Sequence, residues 1–392
     1  MRLNYIPIQI LILSIIFNGL YTVKFGVNLK SFYVFLFFSL ILILYLKKNL
    51  EIKLHHIVIP LYLMIVGSIN SYYDNTNFLR VFFQSSAVCA CLIVFYNSYS
   101  LFFYKKKYAQ EMFSRNYSFI ITFYVLVSLI IFLFKKSITT DPQIRLFGLL
   151  AEPSILSLII MPTLLYSIDQ IKKNLNLLHF ALSVIYIFAI FQTKSTLGYF
   201  GLIIIPIFLI YKMSIKIYFI LFLLTLLIFV INITPFLSGK ISQLVEIYST
   251  GNLYSFHGPT SVTFYINAVI AFKSFFSSPF FGNGLGSHAI SYFENVFNIP
   301  GTQSYPTSLY IGLNYNDANS LFFRILSETG IVGIIFLIYY VIKYYSPNIY
   351  SNMTLILLTL MLVRQGNFVN PEFFLFIYFY YFNYHNQKNE KN

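Results

Sequence analysis

Charge is what this chain has least of. Of its 392 residues 10% are charged, against roughly 25% in soluble globular proteins. With 58% of the chain hydrophobic, an ordinary water-soluble domain is excluded, because the apolar runs are too many and too separate to share one core. Acidic residues are scarcer still, 12 Asp and Glu against 26 Lys and Arg, for a net charge of +14. That excess does not make a nucleic-acid binder. The basic residues sit in short loops rather than on one continuous face, which is where membrane proteins place them. Cysteine is nearly absent. Cys89 and Cys91 lie in one apolar run, and on a helix they diverge by about 200°, which excludes a chelating pair; two cysteines also make no disulfide framework. No long polar segment interrupts the chain, so no soluble domain is appended and residues 1–392 read as a single membrane domain. No internal repeat is visible, which disfavours a transporter built from inverted halves.

What is present is a series of apolar runs, each long enough to approach or cross a bilayer core of about 30 Å. They fall near 5–22, 29–46, 54–70, 78–103, 117–134, 153–168, 177–193, 196–211, 214–234, 320–342, 352–364 and 372–385. Helix is the state expected of them, because an open strand edge in lipid leaves backbone groups unpaired. The expected fold is therefore all-α, a polytopic integral membrane protein of about twelve transmembrane helices. The first run lacks a small-residue cleavage site and is followed by many more, so it reads as a permanent helix rather than a signal peptide.

Placing the N-terminus in the cytoplasm puts Arg2, Lys47, Lys48, Lys53, Lys105, Lys106, Lys107, Arg115, Lys172, Lys173, Lys212, Lys216, Lys343, Lys388 and Lys391 inside. The bias over the outer loops, which hold Lys24, Lys30, Lys135 and Lys136, is about two to one in the expected direction. Both termini are then cytoplasmic. The one long loop, 235–319, faces outward; in a bacterium that is the periplasm. Its Gly and Pro density argues for a convoluted path, with Thr260–Ser278 apolar enough for an interfacial helix. Long loops are where function concentrates.

Ionisable residues at membrane depth are costly and mark function by default. Arg80 opens the fourth run, Arg145 and Glu152 precede the sixth, Lys194 separates the seventh and eighth, Arg324 and Glu328 lie in the tenth, and Arg364 ends the eleventh. In this topology all lie toward the outer half. Guanidinium forks match phosphate oxygens, so several near one face suit a pyrophosphate. Plainer readings stand beside this one. Arg80 can snorkel to the interface, and Arg324 and Glu328, spaced i, i+4, can simply pair.

Three segments carry a resemblance. Arg145-Leu-Phe-Gly148, followed by Glu152-Pro153-Ser154, is one. Pro279-Phe-Phe-Gly282-Asn-Gly284-Leu-Gly286 is the second. Asp317-Ala318-Asn319-Ser320 running into Glu328-Thr329-Gly330-Ile331-Val332-Gly333 is the third, and Arg364-Gln365-Gly366-Asn367 adds an ending. In order and spacing around one outer loop, these resemble the bacterial O-antigen polymerases of the Wzy type, within the polymerase and ligase superfamily. The resemblance implies an enzyme of the inner membrane that joins lipid-linked repeat units. The growing glycan on undecaprenyl pyrophosphate is the donor, and a sugar hydroxyl of a second lipid-linked unit is the acceptor. The partners implied are that lipid-linked glycan, membrane lipid, and a flippase and chain-length regulator of the same pathway; no nucleic acid, cofactor or metal is implied.

The roles follow from chemistry. Arg145 and Arg324, with Arg80 and Arg364 as second choices, would hold pyrophosphate. Gly282, Gly284 and Gly286, with Asn319, would shape the substrate loop. Asp317, Glu152, Glu328 and His288 are the candidate bases, each with a structural alternative: Asp317 as an N-cap, Glu152 as a partner of the positive helix end, His288 as a solvated loop residue. One departure separates two relatives. The ligases carry His-Asn at the start of the third element, where this chain has Asn319 and Ser320. Asparagine is no general base near neutral pH, which favours polymerase over ligase. A polysaccharide flippase is the alternative of another class.

Overall fold

A computed structural model describes residues 2–209 and 259–391, except 19–20, 26, 48, 75–77, 105–107, 139–144, 151, 175, 304–306 and 368; Ser242 and Ser249 are described in isolation. The expected run at 214–234 and the first part of the long loop, to residue 258, lie outside the described residues. Every other expected run contains a helix. In chain order these are α1 (Ile6–Ile16), α2 (Ser31–Lys47), α3 (Leu54–Asp74), α4 (Phe78–Phe103), α5 (Ala109–Ile138), α6 (Pro153–Asn174), α7 (Leu177–Thr193) and α8 (Thr196–Leu209). Within the long loop lie α9 (Pro259–Ser277) and the short α10 (His288–Asn295), and α11 (Leu321–Lys343), α12 (Ile349–Val363) and α13 (Pro371–Lys391) follow.

Four of these helices, Phe78–Phe103, Ala109–Ser137, Pro153–Asn174 and Leu321–Lys343, are long and apolar enough to cross a membrane. The first run is shorter than its hydropathy suggests. Pro7 stands at the helix start, where its missing N–H is no loss, but α1 ends at Ile16, a length of about 16 Å. The chain then forms an antiparallel hairpin, β1 (Tyr21–Phe25) with β2 (Val27–Lys30), in which Phe25 faces Val27. Aromatic and β-branched residues favour such a ribbon, and apolarity alone does not separate it from helix.

The core sits around α6, which packs on α5, α7, α8 and α12. Leu156, Leu158, Ile159, Ile160, Met161, Leu164 and Leu165 are all buried, as expected of a helix that is apolar on every side. Small residues set the closest approach. A Cβ on Gly201 of α8 would lie 2.5 Å from Met161 Cε, and one on Gly198 would lie 2.7 Å from Ser157 Oγ, the kind of contact that helix pairs in lipid rely on. The last helix packs through rings, with Phe379 4.2 Å from Phe113 between centroids. Outward, α5 exposes Phe119, Phe123, Ile130 and Phe134. This is one apolar stripe at helical spacing, suited to lipid contact.

Candidate functional site

The site is organised around a broken helix. At Gly330 the backbone of α11 leaves helical geometry, with φ 60° and ψ −153°. A break orphans carbonyls before it and N–H groups after it, and in a membrane each unpaired group costs several kcal/mol. The glycine-rich loop fills the gap from both sides. Asn283 N–H donates to Ser327 O and Gly284 N–H to Glu328 O, each at 3.0 Å; Pro279 O and Phe280 O accept from Ile331 and Val332 N–H at 2.9 and 3.2 Å. This pairing explains the glycines. Gly282 has φ +68°, and a Cβ there would lie 2.4 Å from the Glu328 carbonyl carbon; Gly284 has φ +86°, and its Cβ would lie 2.7 Å from Gly67 Cα. Gly286, at φ +85°, has only the Arg80 side chain near, 3.6 Å from Nε.

One ion pair stands beside this loop, and a second lies beyond it. Arg324 Nε donates to Glu328 Oε2 at 3.2 Å, Nη1 to Gly366 O at 2.9 Å and Nη2 to Gln84 Oε1 at 3.3 Å. Glu328 also accepts from the Gly286 N–H. Both side chains are buried. The second pair, Arg364 with Glu152, is looser at 3.8 Å and open to its surroundings, and Ser154 Oγ donates to Glu152 Oε2 at 2.9 Å. Arg80, half-buried at the start of α4, donates to Asn316 Oδ1 at 2.9 Å.

Between the pairs lie two contorted stretches of backbone. Ala318 and Asn319 are both left-handed, with φ 57° and 59°, and Gln365 has φ 136°. Such values in residues with a Cβ cost of order 1–3 kcal/mol each and concentrate at functional sites. The two stretches touch. Gln365 N–H donates to Asn319 O at 3.3 Å, and a Cβ on Gly366 would collide with Asp317 O at 1.3 Å. Asp317 Oδ1 accepts from Asn319 N–H at 3.1 Å. The helix cap itself is Ser320, whose side chain accepts from Phe323 N–H, so the N-cap role passes from Asp317 to a residue three positions on. Burial raises the Asp317 carboxyl above the usual aspartate range; the Asn319 hydrogen bond, Arg324 and Lys30 oppose the shift and Glu152 reinforces it.

The remaining expected residues are placed differently. His288 is fully buried, with Nδ1 3.1 Å from Ser327 Oγ and Nε2 3.0 Å from Asn267 Oδ1. Burial, aided by the Arg324 charge, lowers its imidazole to about 3. So weak a base, with both nitrogens engaged, ties α9 and α10 to α11 rather than meeting a substrate. Arg145 is exposed, and its charge is felt at Tyr199 of α8. Its segment is held by Leu146 N–H on Gln192 O at 3.1 Å and by Tyr124 of α5, whose hydroxyl donates to Phe147 O and accepts from Leu149 N–H.

Residues that sequence alone did not single out complete the site. Gln84 holds Arg324, Tyr124 holds the Arg145 segment, and Lys30, at the end of the hairpin, lies within electrostatic range of Glu372 and Asp317. Burial lowers the Lys30 ammonium, and those two carboxyls oppose the shift. Glu372 of α13 is itself buried and hydrogen-bonded by Asn18. Among the described residues no group of three or more His, Cys, Asp or Glu could hold a metal ion. No family model, curated protein or solved structure matches the chain.

Proposed function

We propose that the chain is a glycosyltransferase of the inner membrane, an O-antigen-type polymerase that joins repeat units carried on undecaprenyl pyrophosphate. The observation that carries this reading is a convergence. Glu152 pairs with Arg364, 364–367 touches 317–320, and 279–286 fills the break in α11, which brings these segments together around an accessible Arg–Glu pair and a strained turn bearing Asp317. Lys47, Lys53 and Lys343 mark the far ends of α2, α3 and α11, and the preference for basic residues inside turns the convergent end to the periplasm. About twelve spans, both termini in the cytoplasm and the loop 235–319 outside complete the proposed topology.

The chemistry is a displacement. An acceptor hydroxyl oxygen attacks the anomeric carbon of the donor, the bond from that carbon to pyrophosphate breaks, and the lipid pyrophosphate leaves with the electron pair. Asp317 takes the hydroxyl proton; its raised affinity for protons brings it nearer the working pH, where a general base is most effective. Arg364, with Arg80, meets the charge that develops on the leaving group. Glu152, held by Ser154, orients Arg364. Arg324 and Glu328 fix the backbone that carries all of these. A flippase that delivers the lipid-linked units and a chain-length regulator of the same pathway are the proposed partners.

Deleting the gene in its native host and resolving the surface polysaccharide on a gel tests the reading. Core bearing a single repeat unit, with the ladder gone, is the expected result. A bare core with lipid-linked polymer accumulating outside would instead assign the chain as a ligase, and an unchanged ladder would overturn both.

A further inference from the structure

Beside the glycine loop, and separate from the two ion pairs, lies a cleft of about 470 Å³ between α9 and α10. Its volume is within the roughly 300–1,000 Å³ of ordinary small-molecule sites, yet its lining is unlike the apolar wall such sites usually have. Ser274, Ser277, Ser278, Ser287 and Ser291 supply hydroxyls, Asn283 and Asn295 supply amides, and Lys273 and Glu294 supply one charge of each sign. The wall is ordered by its own hydrogen bonds. Asn283 Nδ2 donates to Ser274 Oγ at 2.7 Å and to Ser277 Oγ at 3.2 Å, and Ser291 Oγ donates to Ser274 Oγ at 3.4 Å. The cleft is tied to the broken helix through Asn283 N–H on Ser327 O, one residue from Glu328.

Ser277 Oγ donates to Ser274 O and Ser287 Oγ to Gly284 O, each at 2.7 Å, and Ser291 donates to Ser274, so these hydroxyls keep acceptor capacity while Lys273 remains a donor. A ligand matched to such a wall carries many hydroxyl donors, and it need not be charged. Lipid tails find too little apolar surface there, and an anion would meet the Glu294 carboxylate beside the single Lys273. We infer that this cleft is a saccharide subsite, which holds part of a neutral or weakly charged glycan chain while its end is presented at the Asp317 turn. The inference rests on the proposed glycan activity for its setting, but its chemistry stands on the lining.

The full-length protein in detergent or nanodiscs is titrated with oligosaccharides released by mild acid from the host's surface polysaccharide, and saturation-transfer NMR reads their ring protons. Wild type is expected to give sugar signals. Ser277→Trp, which fills the cleft from its exposed rim, and Glu294→Ala, at an exposed position, are expected to weaken binding about fivefold or more, as loss of one or two hydrogen bonds would. Lys343→Ala, at the far end of α11, is expected to leave binding unchanged. Absence of sugar signal in wild type, or equal binding in both cleft variants, would overturn the inference. So would inorganic pyrophosphate binding that Ser277→Trp abolishes, since that makes the cleft an anion site. The gene deletion separates the two readings: an intact ladder removes the polymerase and leaves sugar binding standing, whereas a lost ladder with no sugar binding removes only the cleft.

Discussion

Two Arg–Glu pairs occupy the same end of the bundle and have opposite characters. Arg324 and Glu328 are one helical turn apart on α11, with side chains 4% and 0% exposed, and Arg324 is further engaged by Gly366 O and Gln84. Arg364 and Glu152 come from the end of α12 and the residue before α6, 3.8 Å apart, with side chains 24% and 45% exposed. A buried pair is stabilising only relative to losing one partner; breaking it strands a charge, at about 3–5 kcal/mol. An open pair at that distance contributes roughly 0–1 kcal/mol, so its charges are available to something else. Rarity of charge in this chain therefore marks both pairs, and burial sorts them: the first fixes the local backbone and the second is left open to a ligand.

The largest expected effect breaks the first pair. Arg324→Ala or Glu328→Ala is expected to lose about 3–5 kcal/mol, read as a depressed melting temperature in detergent and a fall in membrane-inserted protein. Loss of polymer without loss of protein would move Arg324 to the substrate side of the comparison. Gly282→Ala is expected to come close behind, because its Cβ has backbone rather than a flexible side chain 2.4 Å away.

Next comes the open pair. Arg364→Ala is expected to leave protein level and melting within about 1 kcal/mol of wild type and to cut polymer formation by roughly 10²–10³-fold, the scale for removing one donor from developing charge. Arg364→Lys is expected to recover part of that loss, since it keeps the charge but not the fork. Equal losses of stability in Arg324→Ala and Arg364→Ala would abolish the distinction. The Asp317 turn adds a pH dependence. Its carboxyl is held above the ordinary aspartate range, so a base there is protonated and inactive at acid pH and gains activity as pH rises through the raised value. In a reconstituted assay the acid limb is expected above about 3.9, the unperturbed aspartate value, and Asp317→Asn is expected to remove it.

How much of this was legible in the sequence depends on the kind of signal. Apolar runs report helices well, because backbone pairing in lipid leaves few alternatives, and they led to α2–α8 and α11–α13 in register. They misread the end of the first run, since Tyr21–Lys30 is as compatible with a hairpin as with helix until its pairing is seen. The charged residues were found because charge is rare here, but their roles were not legible. The i, i+4 spacing of Arg324 and Glu328 allowed a simple pair, and only the Gly366 and Gln84 contacts show that Arg324 is committed. The sequence offers His288 as a candidate base or a solvated loop residue, and the structure buries it instead; its partners Asn267 and Ser327 are 21 and 39 residues away, and no local pattern announces them. In the sequence Lys30 reads as an ordinary outer-loop charge, for the same reason.

The smallest expected effect lies within the glycine loop. Gly282, Gly284 and Gly286 form one pattern in sequence, and all three have positive φ, yet their surroundings differ. At 282 and 284 an added methyl meets backbone at 2.4 and 2.7 Å, whereas at 286 the nearest atom is Arg80 Nε at 3.6 Å, ordinary van der Waals contact. Gly286→Ala therefore carries only the left-handed backbone penalty, about 1–2 kcal/mol. It is expected to fold, to retain its Glu328 contact through the unchanged N–H, and to lower polymer yield by less than Gly282→Ala or Gly284→Ala. Matching defects across the three would mean that positive φ alone limits the loop. A graded series would mean that the first two glycines serve the close approach to α11 and α3, while the third shapes the turn beside Arg80.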